Sequence, residues 1–351
     1  MGLFGRIRLF RPGGVMAAVA CCAALPAAAQ TPAPAPAQTS LKFSLDGKFE
    51  GPSALFLLPF DKGYFRAKNL AVTIDEAATP FEPITRVASG AYDMGFADIN
   101  AVIRYRDQHP NTPIKAVFMV YNQPPYSIVA CKSRGVTEAK HLEGKRLGAP
   151  PASATTSEWP LFARINGIDV SKVTIETVAI PVRAPMIAAG QLDAALGFSF
   201  RLYVDVKDRG VDVNDIVLLR MANYGLKLYG NAIIVNPKFA AEKPEAVKGF
   251  LSAFLRGLKE SVRRPGEAVD SIVKRDDLAK REIELERLRM AIRDNILTPE
   301  VKTEGYGGVL PARFGEAIDQ IGQVYTFKTK PKVEDIFDGS FLPPPTERAV
   351  H

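Results

Sequence analysis

Apolar residues recur along this chain in two alternating rhythms, short runs at period two and longer stretches at helical spacing. Leu41-Lys42-Phe43-Ser44-Leu45 alternates apolar with polar and predicts a strand; the Gly/Pro-bounded loop 46–52 then leads into an apolar helix from Ser53. Residues 71–75, 92–96 and 114–120 read as further strands separated by helical patterns. Two apolar strands, 127–132 and 230–235, are expected to cross between lobes and to form the hinge. Between them, strands are predicted near Lys145 and over 173–178, 193–198 and 216–220. Beyond Asn236, residues 244–263 repeat apolar positions at helical spacing, with Pro244 at the start and Pro265 just past the end. The mixed charges of 282–293 suit a solvated helix face, 311–326 reads as the last clear helix, and 341–345 as an extended tail. Strand-helix alternation of this kind predicts an α/β fold in two lobes, each a mostly parallel sheet flanked by helices. In such sheets ligands bind beyond the carboxyl ends of the strands.

The stretch 142–200 carries the most information. It runs strand, small hydroxyl-rich loop (Pro150-Pro151-Ala152-Ser153-Ala154-Thr155-Thr156), helix, and then the same order again. The first amides of a helix lack partners within it and sit at the positive end of its dipole, so such a loop either caps the helix or holds a polar or anionic ligand group. The chain also echoes itself at an offset of one hundred positions: Ala88-Ser89-Gly90-Ala91-Tyr92-Asp93 precedes Met94-Gly95-Phe96, and Ala188-Ala189-Gly190-Gln191-Leu192-Asp193 precedes Ala194-Ala195-Leu196-Gly197-Phe198. Each copy predicts a helix ending at a Gly with positive φ, then a strand opened by Asp and closed by Gly-Phe. That spacing is too wide for a solenoid and implies one copy per lobe.

Composition narrows the picture. Arg6, Arg8 and Arg11, an apolar run over 15–25 and Pro26-Ala27-Ala28-Ala29-Gln30 make the three-part pattern of a secretory signal, with cleavage expected after Ala29 and a periplasmic destination. Cys21 and Cys22 lack the pattern that usually precedes a lipid-anchor cysteine. Residues 30–40, rich in Pro and Ala, are expected to be a flexible tether. The remaining boundaries are lobe one over 41–128, lobe two over 129–232, and a return to lobe one over 233–351. Losing 1–29 removes three Arg and no acid, bringing the formal charge from +7 to +4, and the remaining Lys and Arg form no basic stripe, which argues against a nucleic-acid partner. Only Cys131 survives cleavage, so core burial and not a disulfide must hold the mature chain, which is expected to be monomeric.

Asp61-Lys62-Gly63-Tyr64-Phe65, the two Ala-x-Gly-x-x-Asp copies, Leu142-Glu143-Gly144-Lys145-Arg146-Leu147-Gly148, residues 231–236 and residues 244–262 occur in an order that resembles extracytoplasmic solute-binding proteins of the nitrate/sulfonate/taurine and thiamine-pyrimidine-precursor type. The resemblance implies a two-lobed periplasmic-binding-protein fold of type II with two crossing hinge strands. It implies a small-molecule solute and an inner-membrane ABC permease as partners, with no cofactor or metal. It also implies that the loop after the first strand lines the cleft, which selects Phe49 and Glu50.

Positions at the predicted carboxyl edges add Asp98, Asn122, Ser153, Thr155, Arg183, Phe198 and Tyr224 as substrate-binding residues, Asp98 equally suited to capping its helix. Their aromatic and hydroxyl/Arg character favours a planar or anionic organic solute such as a pyrimidine precursor, a sulfonate or an aromatic carboxylate. An enzyme reading finds little: the histidines are His109, His141 and His351, without metal-ligand spacing, and no nucleophile elbow or phosphate loop is present. Relatives that form pyrimidines consume their own histidine and use a cysteine-rich motif, and this chain lacks both. A cofactor-independent enzyme or a sensor on the same fold is the alternative.

Overall fold

The computed structural model describes residues 38–350, together with Gly13. Apart from Gly13, the expected leader with Cys21 and Cys22 lies outside the described residues, as do most of the tether and His351. Thr39 and Ser40, at the end of the expected tether, pair with Leu70 and Ala71.

Two five-stranded sheets carry the fold. The first contains β1 (Thr39–Ser44), β2 (Leu70–Asp75), β3 (Met94–Asp98), β4 (Lys115–Met119) and β10 (Asn231–Val235) in the order β2-β1-β3-β10-β4. The second contains β5 (Tyr126–Cys131), β6 (Arg146–Ala149), β7 (Thr174–Thr177), β8 (Ala194–Phe198) and β9 (Ile216–Arg220) in the order β7-β6-β8-β5-β9. In each sheet one strand, β10 or β5, runs antiparallel to both neighbours. These two are the segments expected to cross between lobes, and the structure corrects that expectation. Each lies wholly within one sheet, second from an edge and buried along its length. Their continuous apolar sequences, Tyr-Ser-Ile-Val-Ala-Cys and Asn-Ala-Ile-Ile-Val, suit strands covered on both faces. The chain changes sheets just before each of them, through 120–125 and 221–230.

The α-helices of six residues or more among the described residues are α1 (Ala54–Asp61), α2 (Glu82–Ala88), α3 (Ile99–Gln108), α4 (Ala154–Ile165), α5 (Arg183–Ala188), α6 (Ser199–Asp208), α7 (Pro237–Glu242), α8 (Pro244–Arg263), α9 (Pro265–Val273), α10 (Arg281–Ala291), α11 (Pro299–Glu304) and α12 (Pro311–Ile321). Helix α12 stops at Ile321, short of the expected 326, where Gly322 caps it. The segment expected to be extended ends in a helical turn at Pro345–Arg348, where the Arg348 carbonyl accepts from the Tyr306 amide at 2.9 Å and Arg348 Nη1 donates to the Tyr306 carbonyl at 2.9 Å. Among the described residues no helix is long and apolar enough to cross a membrane.

The sequence echo has a structural cause. Gly90 and Gly190 adopt φ of 77° and 74°, turning the chain out of α2 and α5. Asp93 and Asp193 then each fasten the start of a strand to its parallel neighbour: the Asp93 carboxylate accepts from the Lys42 amide at 2.7 Å, the Asp193 carboxylate from the Arg146 amide at 2.8 Å. The first sheet is covered by an aromatic cluster in which Phe43, Phe56, Phe65, Phe250 and Phe254 lie with neighbouring ring centroids 4.7–5.0 Å apart. Each buried Phe stabilises the fold by ~1.5–3 kcal/mol. Gly257 is what allows α8 so close to α1, since a Cβ there would stand 2.5 Å from the Pro59 ring. Cys131 is buried and unpaired by any disulfide.

Candidate functional site

The carboxyl edges of β3 and β8 face each other. Asp98, last residue of β3, pairs in register with Asn231, and Phe198, last residue of β8, with Tyr126. The Tyr126 hydroxyl reaches across and donates to the Asp98 carboxylate, while Asn100 Nδ2 donates to the same hydroxyl oxygen at 2.8 Å. The opposite Asp98 oxygen accepts from the Ala101 amide at 2.9 Å, so this residue caps α3 and ties the two sheets together. Burial pushes its carboxyl up to about 6. Beside this contact, fully buried Glu158 of α4 pairs with Arg104 of α3 at 2.5 Å.

Next to that junction lie two small cavities of about 10 and 20 Å3 that share Asp46 and Arg201. The first is walled by Leu45, Glu50, Ser53, Phe96, Tyr121 and Phe200, among others. The second is walled by Pro80, Ser153, Thr155, Ile180, Arg183 and Phe198, among others. Each has room for about one water molecule, so a solute enters only when the walls part. Both walls are closed by charge. The Arg201 guanidinium grips the Glu50 carboxylate, with Nε at 2.9 Å from one oxygen, and Arg287 of α10 lies 3.4 Å from the same group while bonding Asp205 of α6 at 2.6 Å. Burial works against the Arg201 charge, but Glu50 outweighs it and holds the guanidinium's pKa above the usual arginine range.

Asp46, at the carboxyl end of β1, accepts from Asn231 Nδ2 at 2.8 Å. Desolvation, with Glu50 adding to it and Arg201 opposing, raises its carboxyl to about 6. Across the cavity Arg183 is buried and bonded only to backbone, from Nε to Ile180 O at 3.2 Å and from Nη1 to Leu196 O. Burial, then the neighbouring Arg201, lowers its guanidinium to about 10. Gly197 makes room for it, because a Cβ there would collide with Nη1. The Thr155 hydroxyl, in the first turn of α4, and the Ser199 hydroxyl, in the first turn of α6, are buried without a hydrogen-bond partner. Unpaired buried polar atoms of this kind cost ~1–3 kcal/mol each, and the Thr155 hydroxyl is the one of the two that lines the second cavity.

Of the residues chosen from sequence, Glu50, Ser153, Thr155, Arg183 and Phe198 line these cavities. Phe49 packs against the first sheet's core beside them, its amide donating to Glu76. Three stand elsewhere. Asp98 is consumed by Tyr126 and its own helix. Asn122 lies in the first connection between the sheets, bonded to Thr298, Glu300 and Arg313. Tyr224 packs its ring against Phe162 on the back of α4. Sequence reasoning missed Asp46 and Arg201. Asp46 was open to discovery, two residues past the opening strand's carboxyl end; Arg201, the third residue of the helix after β8, carries no such mark.

A family model described as NMT1/THI5 like matches residues 53–268. The riboflavin-binding protein RibY of Chloroflexus aurantiacus is 27% identical over 254 residues, 70% of either chain. A 4-amino-5-hydroxymethyl-2-methylpyrimidine phosphate synthase of Candida albicans is 28% identical over 226 residues, which is 59% of this chain and 62% of that protein's length. In architecture the chain is similar to the periplasmic aliphatic sulphonate binding protein SsuA from Escherichia coli, with a TM-score of 0.69 at 12% identity, covering 87% of this chain and 94% of that one. The paired mixed sheets described above are thus the two-lobed α/β fold of periplasmic binding proteins, and the chain belongs to the NMT1/THI5-like family.

Proposed function

We propose that this protein is an extracytoplasmic substrate-binding protein that closes two lobes around a small planar or anionic organic solute and presents it to the inner-membrane permease of an ABC importer. One observation carries the reading: the carboxyl edges of two sheets oppose each other around the unpartnered Thr155 hydroxyl and the Arg183 guanidinium, which is bonded only to backbone carbonyls. Such groups await a ligand, and a binding protein whose lobes part supplies it. Links at 120–125 and 221–230 are suited to act as the hinge, since both pass between the sheets and the Gly230 amide of one donates to the Tyr121 carbonyl of the other at 2.9 Å. The resemblance in fold to a sulphonate binder and in sequence to a riboflavin binder supports a small planar or acidic solute. A pyrimidine precursor, a sulfonate and an aromatic carboxylate are the candidates.

The similarity to a pyrimidine phosphate synthase favours a second reading, an enzyme or sensor on the same fold. Against it, the cavity walls offer no His or Cys as nucleophile or proton shuttle, and Asp46 is the one group there whose carboxyl titrates near 6. Small-angle scattering tests the proposal with the candidate solutes, after calorimetry has identified one that binds. Binding should reduce the radius of gyration of the purified protein; an unchanged radius with a bound solute rules out lobe closure.

A further inference from the structure

The two walls of the closed cleft are electrically unlike. On the second-sheet side stand the buried Arg183 and the amino ends of α4 and α6, twelve and ten residues long, with the unpartnered Thr155 and Ser199 hydroxyls in their first turns. Among the described residues no carboxylate comes within ion-pair distance of Arg183, and its assigned hydrogen bonds go to two carbonyls. A guanidinium has five donors, so most of its capacity is unspent. On the first-sheet side stands Asp46, whose assigned side-chain donor is the neutral amide of Asn231, and the Asn231 carbonyl oxygen beside it is itself buried without a donor. Of the other charges nearby, Glu50 and Arg201 satisfy each other, and Lys48 lines only the adjoining cavity. What is left over is one cationic donor set and one anionic acceptor set, both on the wall of the same cavity.

We propose that the cleft is built for an amphoteric solute, whose anionic group docks against Arg183 and the Thr155 hydroxyl while a cationic or hydrogen-bond-donating group docks against Asp46. A purely anionic solute would satisfy Arg183 yet bury the Asp46 carboxylate beside further negative charge; a purely cationic one would do the reverse to Arg183. Each costs more than the doubly matched ligand, because a buried unpaired charge forfeits its hydration. Phe198, in the wall of the same cavity, supplies an aromatic ring for a planar body to pack against. The inference rests on the cleft being the solute site and narrows the solute's class.

The test uses ends and whole: benzoate, benzylammonium, and the zwitterions 3- and 4-(aminomethyl)benzoate, titrated by calorimetry into the whole mature protein. At least one zwitterion should bind about ten- to a hundredfold more tightly than either single-ended probe, the span of one charge-assisted hydrogen-bond set. Thr155→Val, nearly isosteric and removing an unpaired hydroxyl, should weaken benzoate and spare benzylammonium, and Arg183→Met should do so more strongly. Asp46→Asn should reverse the pattern. Should Arg183→Met fail to fold, Thr155→Val and Asp46→Asn decide alone. Equal affinity for benzoate and both zwitterions, no binding by any probe, or identical responses in the variants would each overturn the proposal. A neutral solute co-purifying with the protein would overturn it while leaving the binding-protein reading intact, whereas absence of lobe closure would strike that reading instead.

Discussion

Arg313 of α12 holds the two connections between the sheets to each other, and replacing it should be among the most destabilising changes outside the core. Its Nη1 donates to Asn122 Oδ1 at 3.0 Å and to Glu300 at 2.8 Å; its Nη2 donates to the carbonyls of Asn122 at 2.7 Å and Leu228 at 3.0 Å. The guanidinium also lies 3.9 Å from the Tyr229 ring centroid, and the Tyr229 hydroxyl donates to Glu300 at 2.7 Å. Asn122 belongs to the first connection, Leu228 and Tyr229 to the second. Arg313→Met keeps most of the packing volume but strands two carbonyls and leaves Glu300 with neutral donors alone. Removing one partner of a buried ion pair costs ~3–5 kcal/mol. Here the side chains are 23% and 12% exposed, so solvent offsets part of it, and the expected loss is ~2–3 kcal/mol. Urea unfolding of wild type and variant measures it as a shift in midpoint at unchanged slope. Arg281→Met, which breaks an ion pair whose members are 44% and 48% exposed, is the control and should cost under ~1 kcal/mol. If both variants unfold within ~0.5 kcal/mol of wild type, the network does not clamp the connections.

Gly197→Ala should cost ~1–3 kcal/mol by overpacking against Arg183 and Leu202, and should weaken solute binding because the guanidinium must move; unfolding and calorimetry read both, and an unchanged affinity would detach Arg183 from the site. The Asp46 carboxyl, faced by Glu50, Arg201, Lys48, Asn231 and Tyr121, titrates at about 6, above its unfolded value near 3.9. The folded state therefore binds the extra proton, and stability drawn from Asp46 is present below pH ~4 and lost as pH rises through 6. Asp46→Asn should thus gain stability relative to wild type between pH 4.5 and 7.5, and a difference independent of pH would contradict the assignment. Trp159 is buried in α4 one turn beyond Thr155, so its emission should change when a solute docks at that helix end; a flat titration with a bound solute would place the solute away from α4.

The ten strands of the described residues were legible as apolar runs or alternating patterns, β7 (Thr-Ile-Glu-Thr) the most weakly, and so was the hundred-residue echo, because β-strand patterning and the Gly-Asp signal are local. What local patterning does not encode is which neighbour a buried strand will take. Residues 127–131 and 231–235 read equally well as strands leaving a lobe and as antiparallel strands inserted into one, and they proved to be inserted. The cavity was half visible for the same reason. Thr155 and Arg183 stand at strand or helix ends, whereas Arg201 reaches the cleft only because α6 turns it toward Glu50, 151 positions away. Asp98 and Asn122 stood at the right edge by position, but Tyr126 captured the first and Arg313 the second, contacts set by tertiary packing alone.

The most direct test of a solute-binding role is native mass spectrometry of the protein purified from its own cells without ligand exchange. The expected spectrum shows one small organic molecule per chain, lost on denaturation and carrying an acidic group together with an amine or ring N–H. A sugar, a peptide or a metal ion in that place, or an empty protein that closes around none of the candidate solutes, would contradict it.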